Sequence, residues 1–186
     1  QAFGDNFGVI SALFAHGTVL LRADNTARAT AVELLQEARA GIEKHKIQTF
    51  MLGLLMTDLA EQSATDGQLD TAIDTLRQVC RAQLDTGSPL MVGRPAEAFV
   101  ELLLNRRSPA DRAEARDVLA HLEGLQLPSP VTTVDLWRLK CRAMLAKAEG
   151  NAAGYAETTR RYLALVEKVD ARGRLSDARR MVVEAI

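Results

Sequence analysis

The chain has 186 residues, 24 acidic against 23 basic, for a formal net charge of −1, a balance that supplies no basic surface for generic nucleic-acid binding. Aromatic residues are 4% and hydrophobic residues 47%, so Ala, Leu and Val must fill the core, which points away from β-rich folds and toward an all-α domain of useful size. Two cysteines give no disulfide framework and fit a reducing compartment, the cytoplasm, and no membrane-spanning run or signal peptide is read along the chain.

From Asn6 to about Arg22 the apolar residues Phe7, Val9, Ile10, Leu13, Phe14, Val19, Leu20 and Leu21 predict a helix, weakened in isolation by Gly8 and Gly17. Residues 23–26 read as a turn with Asn25 or Thr26 as N-cap. A second helix to about Lys44 carries the stripe Ala31, Leu34, Leu35, Ala38, Ile42. The next helix, near Gln48 to Ser63, is apolar on several sides (Met51, Leu52, Leu54, Leu55, Met56, Leu59), as a helix packed from more than one direction must be. Thr65-Asp66-Gly67 breaks it. Leu69, Ala72, Ile73, Leu76, Val79, Cys80 and Leu84 then fall on one stripe of a further helix.

Residues 85–89 form a clear break, and Leu90 to Arg94 read as a short apolar linker packed against the helices. Pro95 suits a first turn, so a helix is predicted from Pro95 to Arg107. Ser108-Pro109-Ala110-Asp111 is an N-cap signature for a helix ending near Glu123. Pro128 and Pro130 stop the chain, and a long helix follows from Thr132 or Thr133 to Glu149. Gly150-Asn151 turns into a helix from Ala152 to Val169; Gly173 ends that unit, and Ser176 caps a last helix. The chain is therefore an array of antiparallel hairpins over 6–44, 48–85, 95–124 and 132–170 with a final helix over 176–186, one helical-repeat domain. It opens at Gln1 directly on an apolar helix, which reads as a piece of a longer polypeptide.

The small residues Ala31, Ala72, Ala115 and Ala156 recur at intervals of 41, 43 and 41, the signature of a stacked helical array. Leu59-Ala60, Gly67, Ala72-Ile73 and Leu76 resemble the core of a tetratricopeptide repeat. That resemblance implies a right-handed superhelix of hairpins. The interval exceeds the tetratricopeptide period of about 34 and falls within the HEAT range of about 40–47, which keeps a HEAT-like solenoid as the alternative. Residues 136–151, followed by Tyr155, Arg161-Tyr162-Leu163-Ala164 and Gly173, resemble the end of the helical-repeat region of large actinobacterial regulators. Those join a class III nucleotide cyclase or a LuxR-type DNA-binding domain to an ATPase domain. Gly173-Arg174 departs from the Gly-His pair common there. The resemblance implies a regulatory module whose active sites lie in other domains.

No constellation for chemistry is found. Gly4 to Gly8 is no phosphate loop, because it follows no strand and lacks Lys-Ser/Thr. His16, His45 and His121 lack partners at metal-ligand spacing, so no metal or cofactor is expected. His16 reads as a core histidine on an apolar face, His45 as a turn residue and His121 as solvated. Cys80 and Cys141 lie on apolar stripes and read as buried thiols rather than nucleophiles. The Arg clusters at 106–116, 160–161 and 172–180 are interleaved with Glu and Asp and read as solvated faces, with a docking patch for an acidic partner as the alternative. By alignment to the repeat motif, His16, Leu20, Thr57, Glu61, Arg107 and Arg138 are the candidates for a concave partner-binding groove. The expected function is a non-catalytic protein-interaction or regulatory module, contacting a protein or another domain of its own chain, without direct nucleic acid or membrane. An enzyme with a polar pocket between hairpins, and a homodimerisation module, are the alternatives.

Overall fold

A computed structural model of the chain describes residues 2–23, 25–47, 51–85, 89–125 and 132–186. All regular elements among them are helical: α1 (Ala2–Ala23), a 3₁₀ turn (Asn25–Ala27), α2 (Arg28–His45), α3 (Met51–Thr65), α4 (Leu69–Asp85), α5 (Pro89–Arg106), α6 (Pro109–Gly124), α7 (Thr132–Ala148), α8 (Ala152–Lys168) and α9 (Arg172–Val183). The all-α expectation holds. The chain forms two compact units, residues 1–79 and 80–186, with the division inside α4.

In the first unit α1 packs on α2 at very short range. A Cβ on Gly17 would lie 3.0 Å from the Ala31 carbonyl oxygen and 2.9 Å from Leu35 Cγ, and one on Gly41 would meet Ile10 at 2.8 Å. The glycine that weakens α1 as an isolated helix is thus what lets α2 approach it. Ile10, Leu35, Ala38, Ile42, Ile47 and Leu55 form the core here. Thr18 Oγ1 donates to Asp58 at 2.9 Å and Arg28 Nε donates to Gln62 at 2.5 Å, so the polar groups of α3 that are buried have partners.

In the second unit α5, α6, α7, α8 and α9 pack in succession, and α5 also lies against α7. Leu136, Leu139, Ala143, Tyr155, Tyr162, Val166, Ala178 and Met181 form its core. The closest approach is Gly93 on the indole of Trp137, where a Cβ would fall 1.7 Å from ring carbon Cε3.

Four helices end the same way. Lys46, Gly67, Gly150 and Asp170 adopt positive φ, and the next residue's N–H bonds a carbonyl five residues back: Ile47 to Ile42, Gln68 to Ser63, Asn151 to Ala146 and Ala171 to Val166. This is the Schellman closure. Gly serves at the two turns inside predicted hairpins, and Lys or Asp at the other two.

Several boundaries differ from the sequence reading. Residues 91–94 are helical rather than a linker, and Pro95 lies inside α5. Burial of Val92 and Gly93 against the unit outweighs the backbone bond that Pro95 cannot make. Neither Asn25 nor Thr26 caps α2; they belong to the 3₁₀ turn, and the cap position is Ala27 without a side-chain bond. α9 begins at Arg172, so Gly173 lies within it and Ser176 is not its cap, because Asp170 already supplies the turn. Residues 48–50, where the third helix was predicted to begin, lie outside the described residues.

By length and composition alone, α1 meets the requirement for a membrane span that no stretch of the sequence was read to meet. Residues 6–23 are long and apolar enough to cross a membrane, with mean hydropathy 1.2 and Arg22 as their only charged residue. Ser11, His16 and Thr18 interrupt the apolar run but carry no fixed charge, so they lower its hydropathy too little to disqualify it.

Candidate functional site

Chemistry in the second unit is organised around α7, whose different faces line two depressions. The first is a cleft of about 470 Å³ at the α5–α6 turn, lined from α7 by Lys140, Met144 and Lys147 and from α9 by Asp177, Arg180, Met181 and Glu184. The second is a more open groove of about 670 Å³, lined from α7 by Asp135, Arg138, Leu139 and Arg142 and from α8 by Arg161, Leu165 and Lys168.

Beneath the cleft lies a network of buried charge. Glu97 of α5, 5% exposed, accepts from Arg174 Nη1 at 2.8 Å and pairs with Lys140 Nζ at 3.1 Å. Lys140 also meets Asp177 at 3.0 Å, and Arg174 donates to the Tyr162 hydroxyl at 3.2 Å. Burial by itself would lower the Lys140 pKa, but Glu97, Glu101 and Asp177 override it and hold the ammonium charged. Arg174 is raised in the same way by Glu97 and Tyr162 against the opposing effect of burial. Burial pushes Asp177 up, and Lys140 and Arg180 pull it below the usual carboxylate range. Helix α9 is thereby tied to α5, α7 and α8 by charge as well as by the apolar seats of Ala178 and Met181.

At the cleft wall Glu184 accepts from Lys147 and Arg180, both at 2.6 Å, and those bonds hold it at about 2. Tyr155 donates to Glu184 at 3.2 Å; burial and that carboxylate push its hydroxyl to about 12. These shifts move away from neutrality, the opposite of what a general acid or base needs.

The α5–α6 turn is only two residues, Arg107 and Ser108. Ser108 caps α6 in a full capping box with Asp111, as its sequence predicts. Asp111, almost fully buried, also takes both arms of Arg106 at 2.9 and 2.6 Å, which depresses its pKa. This closure fixes Arg107, in left-handed conformation at φ 64°, and Arg112 beside the cleft.

Four of the six groove candidates, His16, Leu20, Thr57 and Glu61, belong to the first unit and two, Arg107 and Arg138, to the second. Arg107 lines the cleft and Arg138 the open groove. Arg138 is occupied structurally: it donates to the carbonyls of Leu122 at 2.8 Å and Leu125 at 3.1 Å, closing the C-terminus of α6. Thr57 is fully buried, its hydroxyl donating to the Gly53 carbonyl at 2.8 Å, so it belongs to the helix packing rather than to a surface. His16 is exposed and not a core histidine, Leu20 is half-buried, and Glu61 is half-buried on α3. Because α1 is apolar nearly all round, its sequence gave no reliable stripe from which to place His16. Cys80 and Cys141 are buried free thiols as expected; burial, with Glu114 adding, pushes Cys80 to about 12, and burial raises Cys141. No group of three or more His, Cys, Asp or Glu that could hold a metal ion occurs among the described residues.

Sequence reasoning missed the Glu97–Lys140–Asp177–Arg174 network. Glu97 and Arg174 are 77 residues apart, and only the packing of α9 brings them together. The one available signal was Lys140, a charge set among the apolar positions of α7. No family model, curated protein or solved structure matches the chain.

Proposed function

We propose that the chain is a non-catalytic helical-repeat interaction module that takes an acidic segment of a partner protein, or of another domain of its own polypeptide, along the open groove of α7 and α8. The observation that carries this is charge: Arg161 and Lys168 line the groove and make no ion pair among the described residues. Arg142 is spent on Glu123 and Arg138 on α6 carbonyls. Leu139 and Leu165 give the groove an apolar floor. Packed helices present these groups without a large ordering cost on association.

The finer reading is a tetratricopeptide-like array, with a HEAT-like solenoid as its rival. Full burial of Ala31, Ala72 and Ala115 at near-regular intervals supports a repeat, with Ala156, the fourth of the series, half-buried. The likeness of residues 136–174 to the repeat region of cyclase- and LuxR-type regulators supports placing the module in a cytoplasmic multidomain regulator. The absence of catalysis is supported by the charged groups of the cleft, whose shifts lead away from neutrality.

Selection of a random peptide display library on the whole chain tests the reading. Enrichment of Asp- and Glu-rich peptides whose binding is lost in R161E/K168E is the expected result. Peptides without acidic bias, or bound equally by that double variant, refute it.

A further inference from the structure

The cleft at the α5–α6 turn has a charge balance that its own ion pairs leave incomplete. Five cationic side chains line it (Arg107, Arg112, Lys140, Lys147, Arg180) against three carboxylates. Two carboxylates are each held by two cations: Glu184 by Lys147 and Arg180, and Asp177 by Lys140 and Arg180. Arg107 and Arg112 make no ion pair among the described residues. Arg112 is half-buried at the start of α6, where a guanidinium loses part of its hydration without gaining a carboxylate. Met144 and Met181, thioethers that adapt to an irregular apolar shape, line the same cleft. The volume of about 470 Å³ suits a small molecule rather than a partner helix.

We infer that this cleft binds a small amphiphilic acid, with a carboxylate or phosphate head on Arg107 and Arg112 and an apolar body along Met144 and Met181. A cationic ligand is disfavoured, because Glu184 and Asp177 are each already held by two cations and the third carboxylate, Glu101, lies 3.9 Å from Lys140. The inference is independent of the groove reading, since the two depressions draw on different α7 positions: Lys140, Met144 and Lys147 here, Arg138, Leu139 and Arg142 there.

Calorimetric titration of the whole chain with phenyl phosphate, phenylacetate, inorganic phosphate and phenethylamine tests it. Phenyl phosphate or phenylacetate is expected to bind with one-to-one stoichiometry and more tightly than inorganic phosphate, with no binding of phenethylamine. The tighter of the two organic acids identifies the head group. Arg107→Gln and Arg112→Gln, each checked for unchanged helix content, should weaken that binding about tenfold apiece, the value of one hydrogen-bonded charge. Arg161→Gln, in the open groove, should leave it unchanged. No binding of either organic acid at millimolar concentration, equal affinity in the Arg107 and Arg112 variants, or loss of binding in Arg161→Gln would overturn the assignment. The last result would move the anion to the groove, whereas the peptide selection can fail without affecting any of these titrations.

Discussion

At the scale of single residues, the contact most sensitive to change is Gly93 on Trp137. The indole face occupies the space of a missing side chain, so even a methyl group must push α5 away from α7. Gly93→Ala should therefore destabilise the second unit by about 3 kcal/mol, the upper range for an overpacked core. Trp137 is the only tryptophan, so its fluorescence during urea unfolding reports this unit alone; a change in unfolding free energy below about 0.5 kcal/mol, the noise of ordinary surface changes, would contradict the packing. Ionisable residues in the same unit set its pH range. Cys80, Cys141 and Tyr155 hold their protons more tightly in the fold than in the open chain. Their contribution is complete below about pH 9 and is lost as the pH rises toward 12. The urea midpoint by Trp137 fluorescence should hold up to about pH 9 and fall as the pH rises from there toward 12, and Cys80→Ala should flatten that fall. A flat profile in the unsubstituted chain would show that these groups are not buried as described. On the acid side, Glu184 contributes above the ordinary carboxylate range, and its contribution is lost as the pH drops toward about 2.

At the scale of elements, α9 depends on charge more than its position in sequence suggests. It is the shortest α-helix among those described, with 12 residues, and two of its charges reach into the Glu97–Lys140 network. Replacing Glu97 by Gln leaves Lys140 and Arg174 facing one another without their shared carboxylate. Breaking a buried pair from one side costs about 3–5 kcal/mol, so Glu97→Gln should lower the unfolding free energy from urea titration by that amount and speed backbone exchange in α9 before the other helices. Unchanged stability with α9 protection intact would show the network to be dispensable. Helix existence itself was legible, because it is local. Apolar steps of three and four, the Ser108 capping box and the glycine turns at 67 and 150 each report on a few neighbouring residues. The start of α5 was not legible, because Pro95 looks like a first turn and only the seat of Gly93 on Trp137 extends the helix behind it.

At the scale of the whole molecule, three of the four small residues at the sequence interval are sealed, Ala31, Ala72 and Ala115 having no exposed surface, whereas Ala156 is only half-buried. Site residues were harder to read than helices. Alignment to a repeat motif placed Thr57 on a groove, yet its hydroxyl can satisfy itself on the Gly53 carbonyl and so tolerates full burial. Arg107 and Arg138, aligned to the same motif, line depressions beside helix ends, Arg107 at the α5–α6 turn and Arg138 at the C-terminus of α6. The alignment could not separate Arg138, whose guanidinium closes α6, from Arg161 and Lys168, which make no ion pair among the described residues. Unequal use of charge on the two sides of α7 underlies the proposed recognition of acidic ligands. Amide chemical-shift mapping of the isotope-labelled chain during titration with a helical Glu-rich peptide tests it most directly. Salt-sensitive shifts concentrated on Arg161, Lys168 and their neighbours in α7 and α8 are predicted. Shifts confined to α1–α3, or none at all at low ionic strength, would contradict it.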